Sequence, residues 1–247
     1  MPPDGRASQA TDCALRTENV WKRYSGTIAL RGVSVHVRRG EIHALLGGNG
    51  SGKSTLIKVI SGVEEADDGV IELNGTSVPA GHLTPTVSFR NGVRVVHQHP
   101  STFQELSVAE NLAAGASFSG ASPVRIRWRE VRRRAAELLE RFHIDAKPSQ
   151  SLASLRPATQ RMIEIARALQ DQDDLSGGIL ILDEPTAKLP IHDVRLLKDA
   201  LRRYAQEGQT IMYVTHLLEE LEGFADRATV LRDGVVAGTL DREETTP

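Results

Sequence analysis

Cysteine is nearly absent from this sequence, with Cys13 the only one among 247 residues. A single thiol excludes an internal disulfide and suits a reducing compartment. Apolar runs are short, since none approaches the roughly 18 to 20 residues that a helix needs to cross a bilayer. The start of the chain, MPPDGRASQATDC, has neither the basic segment nor the apolar centre of a secretory signal. We therefore expect a cytosolic chain whose role at a membrane comes through a partner.

A large net charge is missing as well. The formal net charge is -2, so the chain has no global basic field of the kind that favours nucleic acid, and we expect no nucleic-acid partner. The local exception is a run of six arginines and one glutamate between positions 125 and 134. This run fits the solvated face of an amphipathic helix, a face toward anionic lipid or a face toward a membrane subunit.

The hydrophobic content of 40% allows one α/β domain with a smaller subdomain. We expect residues 1–14 to be disordered, residues 15–240 to form the domain and residues 241–247 to be a tail. Short β-type runs come first, helical spacing dominates from about residue 99 to 170, and the buried β-type runs GGILILDEP and QTIMYVTH follow. This order predicts a helical insertion inside a sheet domain.

The strongest chemical signal is a glycine-rich loop between a β-type run and a helix-type run. Its sequence, GGNGSGKST, fits the pattern G-x-x-x-x-G-K-[ST]. Glycines let backbone N–H groups turn toward phosphate oxygens, Lys53 would meet the β- and γ-phosphates, and Ser54 would hold Mg²⁺. The predicted ATP-binding residues of this loop are Gly47, Gly48, Asn49, Gly50, Ser51, Gly52, Lys53, Ser54 and Thr55.

An acidic pair supplies the second half of a phosphoryl-transfer site. The run ILILDEP makes a buried strand that ends in Asp183, placed to hold Mg²⁺ through water, and Glu184, placed to polarise an attacking water. Alone, this pair would equally suit the end of a strand before a turn at Pro185. Beside a phosphate-binding loop, it indicates phosphoryl transfer.

The order of these motifs resembles the ATP-binding domain of ABC transporters. The resemblance also includes Tyr24 and the segments VVHQHPSTFQELSVAENL, QRMIEIARAL and YVTH, and it covers residues 15–240. The segments HQ, ELSVAENL, MIEIARAL and DEPTA are most similar to the ATPases of bacterial monosaccharide importers of the ribose type, which carry two such domains in one chain. The resemblance implies an α/β fold with a P-loop NTPase (RecA-like) core, an antiparallel β subdomain and an inserted helical subdomain.

The resemblance also implies roles for individual residues. Tyr24 would stack on adenine, although it could be an ordinary strand aromatic and Trp21 is a nearby rival. Gln98 would touch Mg²⁺ and report to the membrane subunits, or it is a surface amide, and His216 would lie at the γ-phosphate. The implied catalytic residues are Glu184, His216 and Lys53, and the implied Mg²⁺ ligands are Ser54, Gln98 and Asp183.

The family's signature, typically LSGGQ, opens a helix and faces the γ-phosphate bound by the opposite protomer. The LSGG of residues 175–178 runs straight into strand residues, so we expect it to be a polar loop. Counting back from QRMIEIARAL places the signature instead at Leu155, Arg156, Pro157, Ala158 and Thr159. Arg156 replaces the serine hydroxyl, Pro157 removes an N–H, and Ala158 adds a Cβ where glycine allows close approach. The signature is therefore expected to be degenerate.

The resemblance implies the ATP-binding subunit or domain of an ABC-type importer for a sugar-like solute, using ATP and Mg²⁺. The expected partners are a second ATP-binding domain with an intact signature, integral membrane permease subunits and, indirectly, a solute-binding protein. The expected location is the cytoplasmic face of the cell membrane, and weak activity is expected of the isolated chain. Two alternatives stay open, a soluble ABC-type ATPase acting on ribosomes or DNA and a nucleotide-binding regulator with little turnover.

Overall fold

The computed structural model describes residues 12–99, 101–114, 126–172 and 177–242. In chain order, the strands are β1 (Cys13–Tyr24), β2 (Thr27–Arg38), β3 (Ile42–Leu46), β4 (Asp68–Leu73), β5 (Thr76–Pro79), β6 (Val93–Val96), β7 (Ile179–Asp183), β8 (Thr210–Thr215), β9 (Arg227–Arg232) and β10 (Val235–Asp241). The helices are α1 (Lys53–Ile60), α2 (Pro85–Arg90), α3 (Val108–Ala113), α4 (Trp128–Arg141), α5 (Pro157–Leu169) and α6 (Ile191–Gln206).

A four-stranded antiparallel sheet, in the order β2-β1-β4-β5, forms the predicted β subdomain. Its first strand begins at Cys13, two residues before the expected start of the domain, because Cys13 pairs with Arg38 and is buried. At the other end, β10 extends to Asp241 by pairing with Arg227. The remainder of the expected disordered start and of the expected tail lies outside the described residues.

A six-stranded sheet forms the centre of the domain, in the order β10-β9-β3-β8-β7-β6. Strands β9, β3, β8, β7 and β6 are parallel, and β10 is an antiparallel edge strand. The inner strands β3, β7 and β8 are buried along nearly their whole length because helices or the second sheet cover both faces. Leu180 and Leu182 point into a core shared with α3 to α6, whereas Ile179 and Ile181 point into a core shared with α1 and the antiparallel sheet.

The predicted helical insertion lies between β6 and β7 and contains α3, α4 and α5. Helix α3 begins with a capping box, in which Ser107 Oγ accepts a hydrogen bond from the backbone N–H of Glu110, and the Glu110 carboxylate accepts one from that of Ser107. Helix α4 buries Val131, Ala135 and Leu138 and leaves its arginines outside. Within the described ranges, no helix combines the length and apolar character needed to cross a membrane.

The arginine-rich run thus adopts the amphipathic arrangement, from Arg127 onward. Arg133 forms an ion pair with Glu137 one turn later at 2.6 Å, and Arg134 lies 3.6 Å from Asp171. Such exposed pairs contribute little to stability, about 0 to 1 kcal/mol each. Arg125, the first arginine of the run, lies outside the described residues.

Candidate functional site

The predicted phosphate, Mg²⁺ and catalytic residues lie at the carboxyl ends of four adjacent parallel strands. The glycine-rich loop follows β3, Gln98 follows β6, Asp183 and Glu184 end β7, and His216 follows β8. In open α/β sheets, ligands bind outside this edge because the chain turns there into loops and helix N-termini. The topology therefore collects residues that are far apart in the sequence.

The glycine-rich loop is wrapped around the side chain of Lys53. Its Nζ donates hydrogen bonds to the carbonyl oxygens of Gly47 and Gly48, at 2.7 and 3.0 Å. A Cβ on Gly47 would lie 2.4 Å from the carbonyl oxygen of Leu231 and 2.5 Å from Ser51 Oγ, so this position requires glycine. Ser51 Oγ is buried and has no hydrogen-bond partner among the described residues. Because a buried hydroxyl without a partner is costly, the loop fits a bound phosphate whose oxygen accepts from it.

Two predicted side chains, those of Gln98 and His216, meet at the carboxylate of Glu184. Gln98 Nε2 donates to Oε2 at 2.7 Å, and Nδ1 of His216 lies 2.9 Å from Oε1. Glu184 has a φ of 45°, in the left-handed region that residues with a Cβ rarely adopt. Its backbone N–H donates to the carbonyl of Val214 in β8, which holds this conformation in place. The sheet and the two side chains together orient the carboxylate.

The charges at this edge are unbalanced toward the negative. Burial raises the pKa of Asp183, and the neighbouring Glu184 raises it further, against His97, Lys53 and Arg161. Burial lowers the pKa of Lys53, while Glu184 and Asp183 oppose that change. Two carboxylates beside one buried lysine suit an added cation. The acidic pair and the loop therefore fit a Mg²⁺ ion bound together with a polyphosphate.

A third carboxylate, which sequence reasoning missed, lies beneath this site. Glu220 accepts hydrogen bonds from Thr186 Oγ1 at 2.7 Å, Tyr213 OH at 2.9 Å and Thr215 Oγ1 at 3.1 Å. Burial raises the pKa of the Tyr213 phenol, so its proton stays available to donate. The only sequence signal was a tyrosine inside an otherwise apolar strand, since a buried phenol needs a partner. Through these hydrogen bonds, Glu220 links Thr186, in the segment after Glu184, to Thr215, the residue before His216.

The two aromatic candidates for adenine stacking differ in their contacts. The Tyr24 side chain is 42% exposed, and Nζ of Lys22 lies 5.1 Å from its ring centroid. The indole of Trp21 donates to Asn19 Oδ1 at 3.1 Å and stacks near the guanidinium of Arg23. The structure therefore presents Tyr24 as the more accessible ring.

The segment predicted to be the signature, residues 155–159, spans the start of helix α5. Arg156 is the N-cap residue, and its side chain makes no capping hydrogen bond. Pro157 is the first helical residue, and both side chains are exposed. Ala158 is 0% exposed, so its methyl group fills the interior of this chain and does not face a partner. The surface departures from the family pattern are thus Arg156 and Pro157.

The described residues of the second candidate segment, Gly177 and Gly178, lie at the edge of the sheet opposite to Asp183. Leu175 and Ser176 lie outside the described residues, but Gly177 and Gly178 come directly before β7. Gly177 accepts a hydrogen bond from Asn74 Nδ2 at 2.6 Å. The length of β7 separates these glycines from Asp183, a distance on the order of 16 Å for five residues. Gly177 and Gly178 therefore lie too far from this edge to contact the phosphate-binding loop of their own chain.

A strand, glycine-rich loop and helix beside an acidic strand end define a P-loop nucleotide-binding fold. The family model described as ABC transporter matches residues 30–187, more than half of the 247 residues. The chain belongs to the ABC transporter family, as the sequence motifs indicated.

The relatives with curated names include import proteins. The ribose import ATP-binding protein RbsA of Geobacillus kaustophilus is 38% identical over 227 residues, which cover 92% of this chain and 45% of that protein. RbsA of Burkholderia mallei is 38% identical over 230 residues, which cover 93% of this chain and 44% of that protein. The chain thus spans less than half the length of these curated relatives.

Solved structures confirm the fold. An ATP-binding cassette of an ABC transporter in its ADP conformation superimposes with a TM-score of 0.81 at 27% identity, covering 94% of this chain and 93% of that chain. A component of an ABC transporter complex from Clostridium perfringens gives 0.78 at 28% identity, covering 94% and 90%. The predicted P-loop core with an antiparallel β subdomain and a helical insertion is therefore confirmed.

Substitution of Gly47 by alanine tests the close approach in the loop. We expect Gly47→Ala to lower the affinity for Mg²⁺-ATP at least about tenfold and to destabilise the fold by about 1–3 kcal/mol, because its Cβ meets backbone and Ser51. Gly48→Ala is the matched control, since nothing lies within 4 Å of its Cβ. Titration calorimetry and urea unfolding would measure both effects. Equal affinities in the two variants would contradict this account of the loop.

The raised pKa of Asp183 predicts a pH-dependent cost to the nucleotide-free protein. The pKa of Asp183 is higher in the folded protein than in the unfolded chain, so ionisation of this carboxyl lowers the free energy of unfolding at neutral pH. This destabilisation disappears as the pH falls through the folded-state pKa toward the unfolded-state pKa. Asp183→Asn should therefore raise the free energy of unfolding at pH 7.5, and the gain should shrink as the pH falls. Asp199→Asn, at an exposed position on α6, controls for the loss of one charge. A gain that grows toward acid pH would contradict the sign.

Proposed function

We propose that this chain binds and hydrolyses ATP as the ATP-binding subunit or domain of an ABC importer for a sugar-like solute. The observation that carries the proposal is the convergence of Gln98 and His216 on the Glu184 carboxylate beside the Lys53 loop. The names of the relatives, ribose import ATP-binding proteins, support the solute class. The segments HQ, ELSVAENL and MIEIARAL support it independently.

In this proposal, the loop holds the phosphates and Tyr24 stacks on the adenine. Lys53 leaves its two carbonyl partners and pairs with the β- and γ-phosphates, and Ser51 Oγ donates to a phosphate oxygen. Ser54, Gln98 and Asp183 hold Mg²⁺, which neutralises charge on the phosphates. A bound Mg²⁺ would lower the pKa of Asp183, which burial and then the neighbouring Glu184 raise.

Hydrolysis in this proposal depends on the orientation of Glu184. Its carboxylate polarises the attacking water, and His216 and Gln98 fix the position of the two oxygens. His216 also supplies a donor toward the γ-phosphate as charge develops there. Glu220 holds the segments that carry Glu184 and His216 through Thr186 and Thr215.

The degenerate signature leads us to propose a partner ATP-binding domain with an intact signature. Two copies of this chain would each offer Arg156 and Pro157 where a serine hydroxyl and a backbone N–H are needed. Loss of one preorganised donor typically costs on the order of 10²- to 10³-fold in rate. The isolated chain should therefore turn over ATP slowly. An intact partner would complete the site built on this chain's Lys53, Asp183 and Glu184.

The proposed assembly places the chain at the cytoplasmic face of the cell membrane, bound to integral permease subunits and served by a solute-binding protein. Affinity purification from detergent-solubilised membranes should recover the tagged chain with a permease and an intact-signature domain. Recovery with ribosomes or DNA and no membrane protein would replace the importer by the soluble ATPase. The Glu184→Gln variant should give the same partners, since it alters hydrolysis and not docking.

Repair of the exposed signature positions tests the partner proposal. Arg156→Ser combined with Pro157→Gly restores the hydroxyl and the N–H, and it leaves the buried Ala158 in place. ATPase activity per molecule should rise with protein concentration, by on the order of 10²-fold at saturation, because two repaired copies complete each other's sites. Adding Glu184→Gln to the repaired chain should remove the gain. Brisk, concentration-dependent turnover by the unrepaired chain would instead refute the assignment of the signature.

A further inference from the structure

One buried arginine connects the helix that follows the signature to the catalytic edge of the same chain. Arg161 lies in the second turn of α5 and is 7% exposed. Its Nη1 forms an ion pair with Oε2 of Glu164 at 2.6 Å, and Glu164 is 4% exposed. Ionised groups are rarely buried without specific partners. The hydrogen-bond partners of Arg161 and Glu164 therefore indicate what this buried pair does.

Arg161 donates to two backbone carbonyls that flank the catalytic side chains. Nη1 donates to the carbonyl of His97 at 3.0 Å, and Nε donates to the carbonyl of Pro185 at 3.3 Å. His97 directly precedes Gln98, and Pro185 directly follows Glu184, while Gln98 itself donates to Glu184. One guanidinium therefore holds the backbone next to both members of the Gln98–Glu184 pair.

Glu164 extends this contact to the far side of Gln98. Its Oε1 accepts hydrogen bonds from the backbone N–H and from Oγ of Ser101, both at 2.8 Å. One turn further along α5, Arg167 Nη1 donates to the carbonyl of Ser101 at 3.0 Å. The loop that carries Gln98 is thus bound to α5 at His97 and at Ser101, on either side of the glutamine.

We propose that Arg161, oriented by Glu164, is a positioning residue for hydrolysis. It fixes the position of Gln98 relative to Glu184, and it makes that position depend on the position of α5. The proposal rests on the proposed role of Glu184. Arg156 and Pro157 begin the same helix, so a partner nucleotide seated at the helix start would act on Arg161 one turn later through a rigid element. Movement of α5 then shifts the backbone beside Gln98 and beside Glu184 together.

Position 161 requires arginine rather than lysine because only arginine has an N–H donor at the Nε position. Lysine has a methylene group where arginine has Nε, so Arg161→Lys can keep the ion pair with Glu164 but cannot make the Pro185 contact. Arg161→Met loses every donor and leaves Glu164 buried without its cation, which endangers the fold. Arg167→Lys is the matched control, since it lies on the same helix and touches Ser101 but neither flanking carbonyl.

Amide hydrogen exchange on the nucleotide-free chain provides the first measurement. Arg161→Lys should speed exchange in the segment 184–187 about tenfold, because hydrogen bonds from charged donors contribute that much to local protection, and should leave the rest of α5 unchanged. Arg161→Met, if folded, should also speed exchange in the segment 97–101. Faster exchange confined to α5, or no change in either segment, would overturn the proposal and leave a packing role.

Turnover provides the second measurement, with sensitive detection of phosphate released by the full chain. Arg161→Met should lower kcat on the order of 10²-fold and Arg161→Lys less, with KM for ATP within about twofold, since small misplacements of catalytic groups cost that much. In the Glu184→Gln background, either substitution should cause no further loss. Arg167→Lys should keep both constants. A fully additive loss in that background, or a change in KM alone, would overturn the proposal.

The two measurements separate this proposal from the proposed function. If the wild-type rate does not exceed that of Glu184→Gln, the proposed role of Glu184 in hydrolysis fails. Hydrogen exchange at 184–187 and 97–101 then still decides whether Arg161 holds both segments. If turnover depends on Glu184 but exchange and kcat are the same in Arg161→Lys and in wild type, hydrolysis stands and the positioning role of Arg161 is refuted.

Discussion

The common direction of β3, β8, β7 and β6 is the constraint on which the site depends. Parallel strands deliver their carboxyl ends to one edge, so each of the four neighbours contributes one segment to the same place. Reversal of any one strand would move its segment to the opposite edge, where Gly177 and Gly178 lie. The apolar faces of these strands, buried against α1 on one side and α5 and α6 on the other, keep their ends in register. Packing of the core thus fixes the positions of the strand ends, and with them the positions of Gln98, Glu184 and His216 relative to one another.

Sequence reasoning succeeded where chemistry and spacing coincide within a few residues. The glycine-rich loop, the acidic strand end and the strand before His216 could be predicted because their order along the chain implies a parallel sheet. It failed where a role arises only from tertiary contact. Glu220 and Arg161 look like ordinary helix or loop charges, and their partners lie far along the chain. The burial of Ala158 was likewise invisible, because the helix face that packs inward depends on the neighbours of α5.

The site retains several local costs that the rest of the fold must offset. Glu184 has a left-handed backbone, the Ser51 hydroxyl is buried without a partner among the described residues, and Asp183 is a half-buried carboxylate next to another. Each is unfavourable in the protein alone, and they lie together at one edge. A polyphosphate with a divalent cation would satisfy the hydroxyl and neutralise the carboxylate pair. Nucleotide binding should therefore stabilise this edge more than its contact area alone suggests.

The predicted departures from the family signature that face outward are Arg156 and Pro157, at the start of α5. Arg156 and Pro157 are exposed, whereas Arg161 and Glu164, one and two turns later, are buried in well-formed contacts with the Gln98 and Glu184 segments. Under the proposed assignment, the substitutions at Arg156 and Pro157 alter the surface that this chain offers to a partner's nucleotide, and not the contacts of its own Glu184. The contacts of Glu184 with Gln98 and His216 support the proposed asymmetric assembly over a domain that only binds ATP.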